Sequence, residues 1–170
     1  TLAVRAQAFG MRILASDPML TPDNTPEYIQ SVSLEQLLAE SEFVSLHTPL
    51  LPQTTGLIGR EQFRLMKNDA FIVNAARGGL IDDAALVEAL ESGEIAGAGL
   101  DVTPAEPFPA DHPLNDMSNV IITPHTAFHS RESLLELEQR TAREVVRVVT
   151  GEMPENIINP AVLGKSRVGL

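Results

Sequence analysis

Val73-Asn74-Ala75-Ala76-Arg77-Gly78-Gly79-Leu80-Ile81-Asp82 carries the clearest structural signal in the chain. The apolar run Ala70 to Val73 reads as a buried strand. It ends in a turn of small residues carrying one arginine. Asp82 then caps a helix that runs through Ala84, Leu86, Val87 and Leu90. Strand, small-residue turn and helix in succession make the unit of an open α/β sheet, where ligands sit at the carboxyl ends of the strands. An arginine in such a turn is placed to grip an anion; taken singly, it is also compatible with a helix or loop anchor.

The same alternation continues on both sides. Leu2, Ala6 and Phe9 fall on one helical face, with Gly10 as a C-cap. Met11 to Ala15 reads as a strand ending at Ser16-Asp17-Pro18. In a dinucleotide-binding fold an acidic residue in that position accepts hydrogen bonds from the ribose diol and repels a 2′-phosphate, which favours NAD over NADP. An Asp before Pro is equally a turn former. Residues 18–31 read as turns, with Pro18, Pro22, Asn24 and Pro26. Ser33 and Gln36 suggest a capping box for a helix over Leu34 to Ala39, followed by a buried strand, Phe43 to Leu46, and a helix, Glu61 to Met66. Ile95 to Val102 is a strand rich in small residues, which permit close approach, and Asp101 sits at its end. A Pro-rich loop over 103–118 contains Glu106. Asn119 to Ile122 is a further strand, followed by Pro124-His125 and a long amphipathic helix from about Ser130 to Val149, closed by Gly151. The tail from Met153 is expected to be extended. The expected fold is α/β, a Rossmann-like parallel sheet with helices on both faces.

The chain has 170 residues, 44% of them hydrophobic, enough for one domain with a buried core. Its formal net charge of −11 argues against nucleic acid or an anionic membrane as partner, and any anionic ligand must be held by local groups. The absence of cysteine excludes disulfides and thiol chemistry and suits a cytoplasmic protein. No apolar run is long enough to cross a bilayer, and no signal peptide or metal site is expected.

Three stretches resemble the signatures of the NAD-dependent D-isomer-specific 2-hydroxyacid dehydrogenases, in the expected order: Asn74 to Asp82, Gly99-Leu100-Asp101-Val102-Thr103-Pro104-Ala105-Glu106-Pro107, and Thr123-Pro124-His125-Thr126-Ala127. The resemblance implies NAD as cofactor and a small 2-hydroxy or 2-keto acid as substrate. It implies Arg77, Glu106 and His125 as the catalytic set. The planar fork of Arg77 suits a carboxylate, and it also donates toward the carbonyl oxygen. His125 suits proton exchange with the substrate oxygen, and Glu106 orients the ring and favours its charged form. The resemblance also implies cofactor contacts at Asp17, Thr48, Pro49, Thr54, Ala75, Ala76, Arg77, Asp101, His125 and Ala127, with Asp101 meeting the nicotinamide carboxamide. Thr55 is an alternative to Thr54 for a hydroxyl contact, and His47 reads as structural.

No G-x-G-x-x-G occurs in the sequence. Counting back from Asp17 would put those glycines just before Thr1, so the chain is expected to begin inside the first helix of the fold, with the first strand and the Gly-rich turn missing. Residues 1–152 are expected to form this truncated dinucleotide-binding domain, and residues 153–170 a tail returning toward an absent substrate domain. A homodimer is implied. The stretch His47-Thr48-Pro49-Leu50-Leu51-Pro52 is similar to the phosphoglycerate dehydrogenase branch, whereas the C-terminal part, from Ala127-Phe128-His129-Ser130 through Gly151-Glu152-Met153-Pro154, is more similar to the C-terminal-binding-protein branch. The leading expectation is therefore a hydride-transferring oxidoreductase. The alternatives are an NAD-sensing, corepressor-like dimeric binding protein and an inactive fragment of a dehydrogenase.

Overall fold

The computed structural model describes residues 1–163 and 165. The chain divides into two units, Thr1–Ala127 and Phe128–Leu170. In the first, strands β1 (Ile13–Ala15), β2 (Ile29–Ser31), β3 (Phe43–Leu46), β4 (Phe71–Asn74), β5 (Gly97–Leu100) and β6 (Val120–Ile122) are accompanied by helices α1 (Leu2–Ala8), α2 (Leu34–Glu40), α3 (Arg60–Leu65) and α4 (Asp83–Ser92). Every strand pairing among the described residues is parallel. The expected parallel α/β architecture is thus present, but as two hydrogen-bonded sheets, β1-β2 and β3-β4-β5-β6.

Strand β2 lies within the stretch expected to be turns. Ile29-Gln30-Ser31 is too short to show a period, and the prolines before it dominate the local signal. It forms because Ile29 pairs with Ile13 and Ser31 with Ala15, a tertiary contact that local sequence does not announce. Burial of the strands also departs from expectation. Apolar runs at Phe43–Leu46 and Ala70–Val73 read as strands covered on both faces, yet in this unit each alternates. Val44, Leu46, Ile72, Ala98 and Leu100 point into one core with Leu38, Phe63, Leu86 and Leu90 of α2, α3 and α4. On the opposite face Phe43 and Phe71 are partly exposed and stack at 5.7 Å, and Val73 and Ile121 are exposed beside them. Helix α1 buries none of its residues, and Phe9 is exposed, so its apolar face takes no part in this core.

Local signals set the helix ends. Asp82 accepts a hydrogen bond from the Ala85 amide at 2.9 Å and starts α4, and Gly93 ends it in the left-handed conformation, φ 73°. Only half of the expected capping box forms at α2: Ser33 accepts from the Gln36 amide, while the Gln36 side chain turns forward to Glu40. A cap contributes about 1 kcal/mol, and each fully buried large side chain, such as Phe63 or Leu86, about 1.5–3 kcal/mol. The core therefore sets where α4 lies, and the cap sets where it begins.

The second unit holds α5 (Arg131–Val149), started by reciprocal bonds between Ser130 and Ser133. Its apolar stripe is not buried within the unit. The tail expected to be extended folds back instead. Glu144 accepts from the amides of Glu155 and Asn156, Arg147 pairs with Glu155 at 2.6 Å, and a 3-10 turn spans Pro160–Val162. The remainder of the tail, residues 164 and 166–170, lies outside the described residues.

The small residues of β5 make the sheet possible at that point. A Cβ on Gly97 would lie 2.5 Å from the Asn119 carbonyl oxygen and 2.9 Å from the Phe71 ring. Gly97→Ala is therefore expected to destabilise the fold by about 1–3 kcal/mol in urea denaturation. A loss within about 0.5 kcal/mol, the size of an ordinary surface change, would contradict this close packing.

Candidate active site

The Arg77 turn is built by an asparagine. Asn74, the last residue of β4, is fully buried. Its Nδ2 donates to the Arg77 carbonyl at 2.9 Å and its Oδ1 accepts from the Ala76 amide at 3.1 Å. The side chain thereby closes the turn over Ala75 and Ala76, and satisfies polar groups that would otherwise be costly to bury. Beyond it, the Leu80 carbonyl accepts from the Ile58 amide, and the Asp82 amide donates to Ile58. Gly78 is pressed against the next loop: a Cβ there would come within 2.1 Å of the Thr103 carbonyl. Arg77 itself is exposed, with Nη1 donating to the Ala76 carbonyl at 2.6 Å.

Asp101 organises the second half of the site. It is buried at the end of β5. Its Oδ1 accepts from the Thr123 hydroxyl at 2.5 Å and the Thr126 amide at 2.8 Å, and its Oδ2 from the Ala127 amide at 2.9 Å. Its carbonyl also accepts from the His125 amide at 2.8 Å. One residue thus holds the whole turn 123–127. Burial pushes its carboxyl pKa up, but the bonds from Thr123, Ala127 and Thr126 outweigh that and leave it below the usual value. The turn needs this grip because His125 has φ 52°, a left-handed conformation that costs a non-glycine residue about 1–2 kcal/mol.

That conformation sets His125 Nδ1 2.9 Å from Glu106 Oε2. Opposite a carboxylate, Nδ1 is assigned the proton, and Nε2 becomes the nitrogen through which the neutral ring accepts one. Glu106 Oε1 accepts from the Thr103 amide at 3.4 Å. The bond from His125 holds the Glu106 carboxyl below its usual value against some desolvation, with the Thr103 amide adding to it. Whatever stability the pair contributes is complete above the unfolded carboxyl range and is lost as pH falls through the lowered folded value. Both side chains are more than two-fifths exposed, so solvent screens the pair and its main effect is to orient the ring.

The sites expected from sequence are placed unequally. Arg77, Asp101, Glu106 and His125 follow the carboxyl ends of β4, β5 and β6, three adjacent strands. Thr48 and Pro49 follow β3 on the same sheet. Asp17 follows β1 in the other sheet, where Oδ1 accepts from the Met19 amide at 2.8 Å, the turn-forming role. The Thr54 hydroxyl donates to the carbonyls of Pro49 and Leu51 and accepts from the Leu51 amide, so its proton closes its own loop. Thr55 likewise donates to Leu51, and His47 pairs with Ser45. Ala75 and Ala127 are exposed, and Ala76 is half-buried. Two further residues shape the site, Asn74 and Thr123. An asparagine closing an apolar strand was the visible signal for the first; nothing local marked the second.

Comparison with known proteins gives this geometry its context. The model of the family described as D-isomer specific 2-hydroxyacid dehydrogenase, NAD binding domain, matches residues 1–127. A glyoxylate reductase of Korarchaeum cryptofilum is 45% identical over 163 residues, covering 95% of this chain and 49% of that protein. A D-3-phosphoglycerate dehydrogenase of Methanocaldococcus jannaschii is 42% identical, over 97% of this chain and 32% of its own length. The crystal structure of a D-lactate dehydrogenase with NAD+ from Lactobacillus jensenii superposes with a TM-score of 0.82 at 39% identity, covering 93% of this chain and 51% of that one. The chain thus spans about half or less of the length of these relatives.

The Glu106–His125 bond is open to direct titration. In carbon-detected NMR the Glu106 carboxyl is expected to titrate below 4.5, and His125→Ala to move it back up toward that value while Asp101 stays low. An unchanged Glu106 midpoint would show that the bond does not form in solution.

Proposed function

The chain belongs to the D-isomer-specific 2-hydroxyacid dehydrogenase family, and from that premise we propose that it is the cofactor-binding part of an enzyme moving a hydride between NAD(H) and a D-2-hydroxy acid or 2-keto acid. The observation that carries the reading is the 2.9 Å contact between His125 Nδ1 and Glu106 Oε2, on a turn that is held by Asp101 and follows β6, with only β5 between it and β4, the strand that leads into Arg77. Phosphoglycerate, glyoxylate and lactate enzymes all occur among the relatives. Their shared chemistry, a carboxylate beside a carbinol or carbonyl carbon, defines the substrate class.

The donor set suits the dinucleotide. The Asp17 carboxylate ends a strand where a ribose diol would be bound and a 2′-phosphate repelled. Asp101 Oδ2 accepts one amide and has a second lone pair for a carboxamide N–H. Thr48 and Pro49 follow β3, Ala75 and Ala76 follow β4, and Ala127 follows β6, at the carboxyl ends of the sheet that also carries Asp101. Thr54 acts by shaping the Pro49 loop, since its hydroxyl proton is committed there.

In the proposed reaction Arg77 leaves the Ala76 carbonyl and takes the substrate carboxylate in two parallel hydrogen bonds. Its delocalised charge persists at any working pH, so it holds the anion despite the acidic chain around it. Bound NAD(H) supplies or takes up the hydride. For keto-acid reduction, the His125 imidazolium donates its Nε2 proton to the oxygen that gains charge. For oxidation, the neutral ring removes the hydroxyl proton at the same nitrogen. Glu106 keeps the proton on Nδ1 and the ring in one orientation. Assembly as a homodimer, a cytoplasmic location, and residues 153–170 as the return toward a substrate domain belong to the same proposal. Among the described residues no helix is long and apolar enough to cross a membrane.

Titration with NADH tests the cofactor assignment: a hundredfold excess over Kd is expected to stabilise the fold by about 2.7 kcal/mol, and no movement of the thermal midpoint would overturn it. In the enzyme containing this chain, His125→Ala is expected to lower turnover of a 2-keto acid about 10²- to 10⁴-fold with NADH affinity unchanged. Full turnover by that variant would remove His125 from the chemistry.

A further inference from the structure

The loop carrying Glu106, residues 103–118, runs from the end of β5 to β6, and residues 104–107 are exposed. A carboxylate on such a loop orients a histidine only if the loop is fixed on both sides of it. On the near side Thr103 does this: its backbone abuts Gly78, and its hydroxyl donates to the Ala105 carbonyl at 2.8 Å. On the far side the anchor is a second histidine. His112 Nε2 lies 2.7 Å from Asp83 Oδ2, and its Nδ1 accepts from the Leu114 amide at 3.3 Å. An amide on Nδ1 assigns the proton to Nε2, so the ring donates to Asp83. Phe108 packs on the ring at 4.7 Å, and Leu114 is buried in the core.

Asp83 is not an arbitrary surface carboxylate. It is the first residue of α4, next to the cap Asp82, and the Asp82 amide is bonded to Ile58. A 3-10 turn, Gly78–Leu80, connects this helix start to Arg77. The contact from His112 therefore reaches from one catalytic loop to the scaffold of the other. We propose that His112 is a positioning residue, whose hydrogen bond to Asp83 ties the Glu106 loop to the Arg77–α4 segment and so sets the Glu106–His125 contact. The inference rests on the acid–base assignment given to that pair. An ordinary surface pair would be open to water and its loss near neutral for stability, whereas the His112 side chain is only 16% exposed and is used at both nitrogens.

The test reads Glu106 rather than turnover, so it stands apart from the proposed activity. His112→Ala, His112→Gln, Asp83→Ala and Asp83→Asn are compared by carboxyl titration and by amide hydrogen exchange over 104–111. Breaking the tie, in His112→Ala or Asp83→Ala, is expected to raise the Glu106 midpoint toward 4.5 and to speed exchange across the loop, with Asp101 still low. His112→Gln, whose amide can still donate, and Asp83→Asn, whose carbonyl can still accept, are expected to restore the wild-type values. If His112→Ala does not fold, Asp83→Ala makes the same break from the helix side. An unchanged Glu106 midpoint in the alanine variants, or equal effects of alanine and the conservative replacements, would overturn the proposal. In the intact enzyme His112→Ala is expected to lower kcat about 10- to 100-fold without changing the KM for NADH. If the titration follows this pattern and His125→Ala still turns over, the tie stands and the reading of the reaction falls.

Discussion

The Asp101 carboxylate is the interaction on which the site depends. It is buried at the end of β5 and bonded to Thr123, Thr126 and Ala127. Burial of an ion is costly unless hydrogen bonds replace its water, and three donors from one turn do so here. The same bonds stabilise a backbone conformation at His125 that an L-residue seldom adopts. Strain at one residue and desolvation at another are thus both offset within a single turn. What results is an imidazole presented at a fixed angle to Glu106. Glycine at position 125 would relieve the backbone but would remove the ring that the geometry serves.

A second constraint is the closeness of neighbouring loops. Asn74 closes the Arg77 turn from below, Gly78 admits the Thr103 backbone, and Gly97 admits Asn119. Because β4, β5 and β6 are adjacent and parallel, loops leaving their carboxyl ends emerge side by side. Chain topology therefore brings the loops that carry Arg77, Glu106 and His125 out at one edge of the sheet. In a chain of formal charge −11 the exposed Arg77 guanidinium is a local positive charge, and at short range it acts where the global field is screened.

Most of the four-stranded sheet was legible in the residues, because apolar runs ended by small or polar residues are strong local signals. The start of α4 at Asp82 and that of α5 at Ser130 were legible for the same reason. Strand β2 was not, since its pairing with β1 is non-local. One-sided burial was not, because an unbroken apolar run such as Phe71-Ile72-Val73 has no alternation to reveal which face is covered. In the site, Arg77, Glu106 and His125 stood out through the family resemblance, while their geometry did not. Thr54 shows the limit in the other direction: a hydroxyl beside an expected ligand position is bonded to its own loop. Asp101 combines both cases, since the carboxylate expected to meet a cofactor is also the brace of the histidine turn.

The most direct measurement is a crystal structure of the protein with NADH and oxamate, an unreactive mimic of a 2-keto acid. The expected result is an oxamate carboxylate held on the Arg77 guanidinium, with its carbonyl oxygen about 2.6–3.2 Å from His125 Nε2. His125 Nδ1 would remain on Glu106. Oxamate bound elsewhere, with Arg77 still on the Ala76 carbonyl or His125 turned away from the ligand, would contradict the assignment of these residues to the chemistry.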